Sequence, residues 1–164
     1  MNVRRFVAGL SIVLLAVLGG AQPASADITY LHARNNKENR CIQENGPNSS
    51  PTIEPCNIEW NQVFQFEIYA WLNGSAVYLI KSRNGNCLDA LVINSVYVQG
   101  SGSCNGGTSQ QWIGITQPNG TLVFVNNYWS RCMETAYVNA LYMDACSTWI
   151  NGVPGTADQQ FAIY

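Results

Sequence analysis

Cys87-Leu88-Asp89 opens a stretch that passes Cys104 and closes on Gln110-Gln111-Trp112. The same order of parts stands on either side of it. Cys41, Cys56 and Gln62-Val63-Phe64 precede it, and Cys132, Cys146 and Gln159-Gln160-Phe161 follow. The three motif glutamines lie 48 and 49 residues apart, and the leading cysteines 46 and 45 apart. A period of this size is one supersecondary unit used repeatedly. The chain of 164 residues is therefore read as an array, with repeats at about 27–74, 75–120 and 121–164.

Between these landmarks the pattern is all-β. Val63 to Tyr69, Val77 to Ile80, Val96 to Val98 and Leu122 to Val125 are short runs rich in Val, Ile, Tyr and Phe. Six Asn-Gly pairs, at Asn45, Asn73, Asn84, Asn105, Asn119 and Asn151, mark tight turns, because both residues accept positive φ angles. Each repeat then has a lead-in strand (Thr29 to Ala33, Val77 to Ser82, Leu122 to Asn126), a turn to the first cysteine, a return to the second, and a strand opened by the motif. Roughly four strands per repeat make about twelve, too few units for a usual propeller. A closed three-fold barrel removes free edges and gives the repeats one shared core. Phe64, Trp112 and Phe161 are its expected core plugs, since large aromatics dominate burial.

Residues 1–26 stand apart. Arg4 and Arg5 precede the apolar run Phe6 to Leu18, and Ala24-Ser25-Ala26 is a small-residue cleavage signal. This reads as a secretory signal peptide, with a run too short to span a membrane. Cleavage would leave 138 residues, one domain by length, with a formal charge of −4. No basic cluster remains, which argues against nucleic acid or a membrane surface as partner. Export leads to an oxidising compartment, so the protein is expected to be extracellular and monomeric. Six cysteines allow 15 pairings, and the repeat selects Cys41–Cys56, Cys87–Cys104 and Cys132–Cys146, with separations of 15, 17 and 14. On the chain-entropy model each such loop is worth roughly 3 kcal/mol. No metal or cofactor is expected: there is no Cys-x-x-Cys and one histidine, His32, so a zinc site lacks ligands.

These residues resemble the ricin-type β-trefoil lectin domains, secreted carbohydrate-binding modules. The resemblance spans about Thr29 to Tyr164 and rests on three motifs in phase with three cysteine pairs. It implies a β-trefoil with a shallow sugar pocket in each repeat. It also implies roles. A carboxylate two residues after the first cysteine accepts sugar hydroxyls, and an asparagine with the motif glutamine completes the polar set. An aromatic two residues before the second cysteine stacks on the C–H face of the ring, the apolar platform a sugar needs.

No repeat carries the whole set. The first matches at Asn61 and Gln62 but has Gln43 for the carboxylate and Glu54 for the aromatic. The second matches at Asp89 and Gln110 but has Ser109 and Gly102. The third offers Glu134, Asp158 and Gln159, with Asp144 in the aromatic's place. Tyr142, two residues before Asp144, points to its side in an extended segment and is a candidate platform; Tyr97 is the corresponding candidate in the second repeat. The motif glutamines are also expected to have a structural duty. Degenerate sugar pockets are thus expected, with a protein-interaction trefoil, an inhibitor or toxin-associated subunit, as the alternative. Catalysis is not expected, because no Gly-x-Ser-x-Gly is present and the acids are scattered by the repeat.

Overall fold

The computed structural model describes residues 29–135, 139–147 and 156–164. The proposed signal peptide and the Asn151-Gly152 turn lie outside these residues. The described residues are all-β, with thirteen strand segments joined by turns and four 3₁₀ turns.

The first repeat holds β1 (Tyr30–Leu31), β2 (Ala33–Asn35), β3 (Cys41–Gln43), β4 (Thr52–Glu54) and β5 (Phe64–Leu72). The second holds β6 (Ser75–Ser82), β7 (Cys87–Asp89), β8 (Tyr97–Gln99) and β9 (Gln111–Thr116). The third holds β10 (Leu122–Asn126), β11 (Cys132–Thr135), β12 (Leu141–Asp144) and β13 (Phe161–Ile163). The extra segment arises because the first lead-in strand changes partner at His32. Before it, β1 pairs with β5; after it, β2 pairs with β13. His32 itself exchanges backbone hydrogen bonds with Tyr164. The ladders run β1–β5–β6–β9–β10–β13–β2, all antiparallel, so the ring closes on itself. Closure removes the unpaired edges a six-stranded open sheet would expose.

Three hairpins hang from this barrel: β3–β4, β7–β8 and β11–β12. Each is stapled by its own disulfide, Cys41–Cys56, Cys87–Cys104 and Cys132–Cys146. Single bridges from Thr52 to Ala140 and from Ser95 to Tyr142 link the hairpins to one another. The Asn73-Gly74 turn between β5 and β6 has φ of 50° and 85°, the paired positive angles of a type I′ hairpin.

The core is layered by the repeat. Ala33, Ile80 and Phe124 come from equivalent places on the lead-in strands, Ile42, Leu88 and Met133 follow the leading cysteines, and Phe64, Trp112 and Phe161 follow the motifs; all nine are buried. Within a layer, small residues offset large ones, as Ala33 does Phe124, which keeps the total volume near close packing. Trp112 satisfies its indole N–H by donating to the Leu88 carbonyl at 3.1 Å.

A glycine shows how tight this is. A Cβ on Gly114, in β9, would stand 2.5 Å from Cε2 of Tyr78. Tyr78 in turn packs edge-on against Phe66 and Phe124. Gly114→Ala is expected to cost about 1–3 kcal/mol through this overpacking. Urea unfolding checks it, and a neutral result would show that the Tyr78 ring moves freely.

Candidate functional site

One side-chain latch recurs in all three repeats. The motif glutamine sits in a 3₁₀ turn, at Trp60–Gln62, Thr108–Gln110 and Ala157–Gln159, and is buried each time. Its amide nitrogen donates twice. One hydrogen goes to the carbonyl just before the second cysteine: Pro55 at 3.0 Å, Ser103 at 2.7 Å and Ala145 at 2.9 Å. The other goes to the side chain two residues after the first cysteine: Gln43 at 3.1 Å, Asp89 at 2.8 Å and Glu134 at 2.5 Å. Its oxygen accepts the backbone N–H that follows the second cysteine, from Asn57, Asn105 and Ser147. A primary amide has two donor hydrogens, so Gln62, Gln110 and Gln159 have none left for a ligand. They hold the hairpin and orient the residue opposite.

What that residue can then do differs among the repeats. In the first, Gln43 is neutral and shares its amide with Asn45 at 3.4 Å. Asn61 is half-buried; its carbonyl accepts the Glu44 N–H, and its side-chain Oδ1 has no partner among the described residues. In the third, both oxygens of Glu134 are occupied, by Gln159 and by the Tyr142 hydroxyl at 2.7 Å. Asp158 forms an ion pair with Lys37 at 3.3 Å. Burial alone would raise the Asp158 carboxyl, but hydrogen bonds from Thr156 and Lys37 outweigh it and hold it below the usual carboxylate range.

Tyr142, the candidate platform of the third repeat, has its hydroxyl engaged within the protein. It lies directly opposite Glu134 in the β11–β12 ladder and spends its hydroxyl there. Burial first, then the hydrogen bond to the Glu134 carboxylate, then the Glu134, Asp144 and Asp158 charges push its phenol above the ordinary value of 10.0. A raised folded-state pKa stabilises the fold below the unfolded value, and that contribution is lost as pH rises. Stability is expected to decline above about pH 10, and Tyr142→Phe to flatten that decline. An unchanged slope in the variant would contradict the Tyr142–Glu134 pairing.

The second repeat is different. Asp89 is 2% exposed and forms part of the wall of an open cavity of about 460 Å³. Oδ2 accepts from Gln110, while Oδ1 has no hydrogen-bond partner among the described residues. An unsatisfied carboxylate oxygen is costly unless something donates to it. Gln99, Asn105, Ser109 and Tyr128 share the lining. Tyr128 is 60% exposed, and its ring stands edge-on to Trp129 with centroids 4.7 Å apart.

Tyr128 comes from the next repeat, which is why a search within the second repeat misses it. Its place is set by Asn126, which is wholly buried. The Asn126 amide donates to the Ser109 carbonyl at 2.8 Å, and its oxygen accepts the N–H groups of Tyr128 and Trp129, both at 3.1 Å. Trp129 then donates to the Ala90 carbonyl at 2.6 Å. The turn is thereby tied to both sides of the cavity. Asn35 makes the same set of bonds in the first repeat, to Lys37, Glu38 and Asp158. That recurring asparagine is the signal in the sequence that points to the turn.

The expected platform positions hold no platform. Glu54 and Asp144 lie opposite Cys41 and Cys132 and pair with Arg40 at 3.2 Å and Arg131 at 3.3 Å. Gly102 is not their counterpart. The residue opposite Cys87 is Gln99, because the second hairpin is longer and Gly102 falls in the 3₁₀ turn Ser101–Ser103. Tyr97 lies half-buried opposite Asp89, outside the residues that line the cavity.

This fold has known counterparts. A designed three-fold symmetric protein, ThreeFoil, superposes with a TM-score of 0.67 at 15% identity, over 82% of this chain and 96% of its own. SeviL, solved bound to the asialo-GM1 saccharide, superposes at 0.58 with 12% identity, over 84% and 97%. The cytolethal distending toxin of Haemophilus ducreyi superposes at 0.61 with 11% identity, over 85% and 86%. The chain has the β-trefoil fold. No protein-family model matches it, and no curated protein matches it in sequence. Its trefoil relatives are thus recognised by shape, and what this trefoil binds must be argued from its own side chains.

Proposed function

We propose that the protein is a secreted, non-catalytic carbohydrate-binding trefoil whose working site for neutral sugars is the cavity of the second repeat. One observation carries the reading: a buried carboxylate with a spare acceptor oxygen, Asp89, shares a cavity with an exposed aromatic ring, Tyr128. A sugar presents hydroxyl donors at its rim and C–H groups on its face, and these two side chains answer both. SeviL, a shape relative solved bound to a saccharide, supports the substrate class. Three disulfides fit the oxidising compartment that a cleaved signal at 1–26 would lead to. The first and third repeats serve as scaffold toward neutral sugars, since Gln43 lacks charge and Glu134 is already bonded twice within the protein.

Calorimetric titration of galactose, lactose and a galactan against the oxidised protein tests this. Binding that vanishes in Asp89→Ala supports it. Silence toward every neutral sugar and polymer would overturn it.

A second reading has one observation in its favour. The β5–β6 hairpin exposes Ile68, Trp71 and Leu72 at 51%, 67% and 43%. Such a face suits a protein-docking trefoil, and a partner retained by Asp89→Ala but lost by Trp71→Ala would mark that role.

A further inference from the structure

Six cations follow residue 28 in the sequence. Four are committed to acids: Lys37, Arg40, Lys81 and Arg131. Arg34 lies over the Tyr164 ring. Arg83 is the remaining one. It is exposed, it belongs to none of the ion pairs among the described residues, and its guanidinium carbon stands 3.5 Å from the centroid of Trp60 and 5.6 Å from that of Tyr30. Glu59, the acid nearest Trp60 along the chain, forms no ion pair with it among the described residues. Trp60 stays 62% exposed despite this contact.

The place of this cluster matters. Trp60 opens the 3₁₀ turn that carries Gln62, as Thr108 opens the one that carries Gln110. Arg83 follows the second lead-in strand, in the turn that corresponds to the one carrying Tyr128. Thr108 and Tyr128 both line the Asp89 cavity. By the three-fold correspondence, Trp60 and Arg83 mark the equivalent position in the first repeat, whose hairpin carries Gln43. There the carboxylate of the second repeat is replaced by a neutral amide, held by Gln62. Glu44, the residue after Gln43, is also an acid here, but it is 3% exposed and the Asn86 amide donates to it.

We propose that the first repeat takes an acidic saccharide. The carboxylate or sulfate of the sugar meets the guanidinium edge of Arg83, and the sugar ring packs on the open part of the Trp60–Tyr30 surface. A guanidinium laid flat on an indole keeps its N–H fork in plane and free at the rim, a geometry that suits bidentate oxyanions. Stacking also restricts the side chain beforehand, so less rotamer freedom is lost on binding. The site is separate from the Asp89 cavity and stands or falls without it.

The test is a titration of the oxidised, ¹⁵N-labelled protein, read at the Trp60 indole N–H resonance. Galacturonic acid and polygalacturonate supply the carboxylate, heparin supplies the sulfate, and galactose is the neutral control. At low salt an acidic sugar is expected to shift the Trp60 resonance, with affinity falling as salt rises. A response to heparin alone assigns the oxyanion as sulfate, and a response to the uronates assigns it as carboxylate. Arg83→Gln is expected to weaken this binding about tenfold, and Arg83→Lys to restore only part of it. Asp89→Ala should leave it unchanged. An equal shift with galactose, no shift with any acidic sugar, or full affinity in Arg83→Gln overturns the proposal. Asp89→Ala losing galactose while Arg83→Gln keeps uronate would sink this site and spare the other.

Discussion

Trp112→Ala is expected to lower the unfolding free energy by about 3–5 kcal/mol, the range for emptying a buried aromatic site. The ring is wholly buried in the motif layer with Phe64 and Phe161, and its N–H is bonded to the Leu88 carbonyl. Truncation removes both the packing and that bond. Domains of this kind are stable by only about 5–15 kcal/mol, so the variant is expected to be close to unfolding at 37 °C. Trp112→Phe separates the two losses. It keeps most of the volume and forfeits the bond, and is expected to cost about 1–3 kcal/mol. Urea unfolding with the disulfides intact measures both. A Trp112→Ala cost under about 1 kcal/mol would mean that the three motif aromatics do not form one cooperative layer.

Asp89→Ala and Tyr128→Ala are expected to be the two most damaging changes to binding of neutral sugars. A hydrogen bond to a charged acceptor is worth about 1.5–3 kcal/mol, so losing the Asp89 carboxylate should weaken binding by about tenfold to a hundredfold. Losing the Tyr128 ring removes a flat apolar contact, and about fivefold to tenfold is expected on the scale of an aromatic packing interaction. The comparison that matters is with the third repeat. Glu134→Ala and Tyr142→Ala remove a carboxylate and a phenol from the corresponding hairpin of the third repeat. They should cost stability and leave binding unchanged, because the Glu134 carboxylate already accepts from Gln159 and Tyr142. Equal losses at Asp89 and Glu134 would contradict the assignment of one cavity.

The architecture was legible because a trefoil writes itself three times. Cysteines, Gln-x-aromatic motifs and Asn-Gly turns recur in phase, and each has a local reason to be where it is. The closed ring follows from edges that must pair, and Phe64, Trp112 and Phe161 from volume. The split of the first strand at His32 was not legible, because it depends on which neighbour, β5 or β13, each half meets. The places of Asp89 and Gln110 in the repeat were legible from the motif, and the structure joins their side chains at 2.8 Å.

The aromatic wall was not legible, for two physical reasons. The family pattern places it two residues before the second cysteine, but the longer second hairpin puts Gln99 rather than Gly102 at that register. The ring proposed for that wall is Tyr128, 39 residues after Asp89 in the sequence and brought back by Asn126 bonding to Ser109. Reading each repeat as self-contained hides any site built across two. Likewise the direction of Tyr142 is legible from strand alternation, and its partner is not. Its hydroxyl and the Glu134 carboxylate satisfy each other, and that pairing depends on the register of the ladder.

The central claim is that neutral-sugar recognition belongs to the cavity between the second and third repeats and to no other. A ¹H–¹⁵N titration with galactose or lactose tests it most directly. The account predicts that Asp89 to Leu91, Gly107 to Gln110 and Tyr128 shift together along one saturation curve, while Cys132 to Thr135 and Gln159 stay still. Shifts at Glu134 and Gln159 with the same curve, or saturation with no movement at Asp89 and Tyr128, would contradict it.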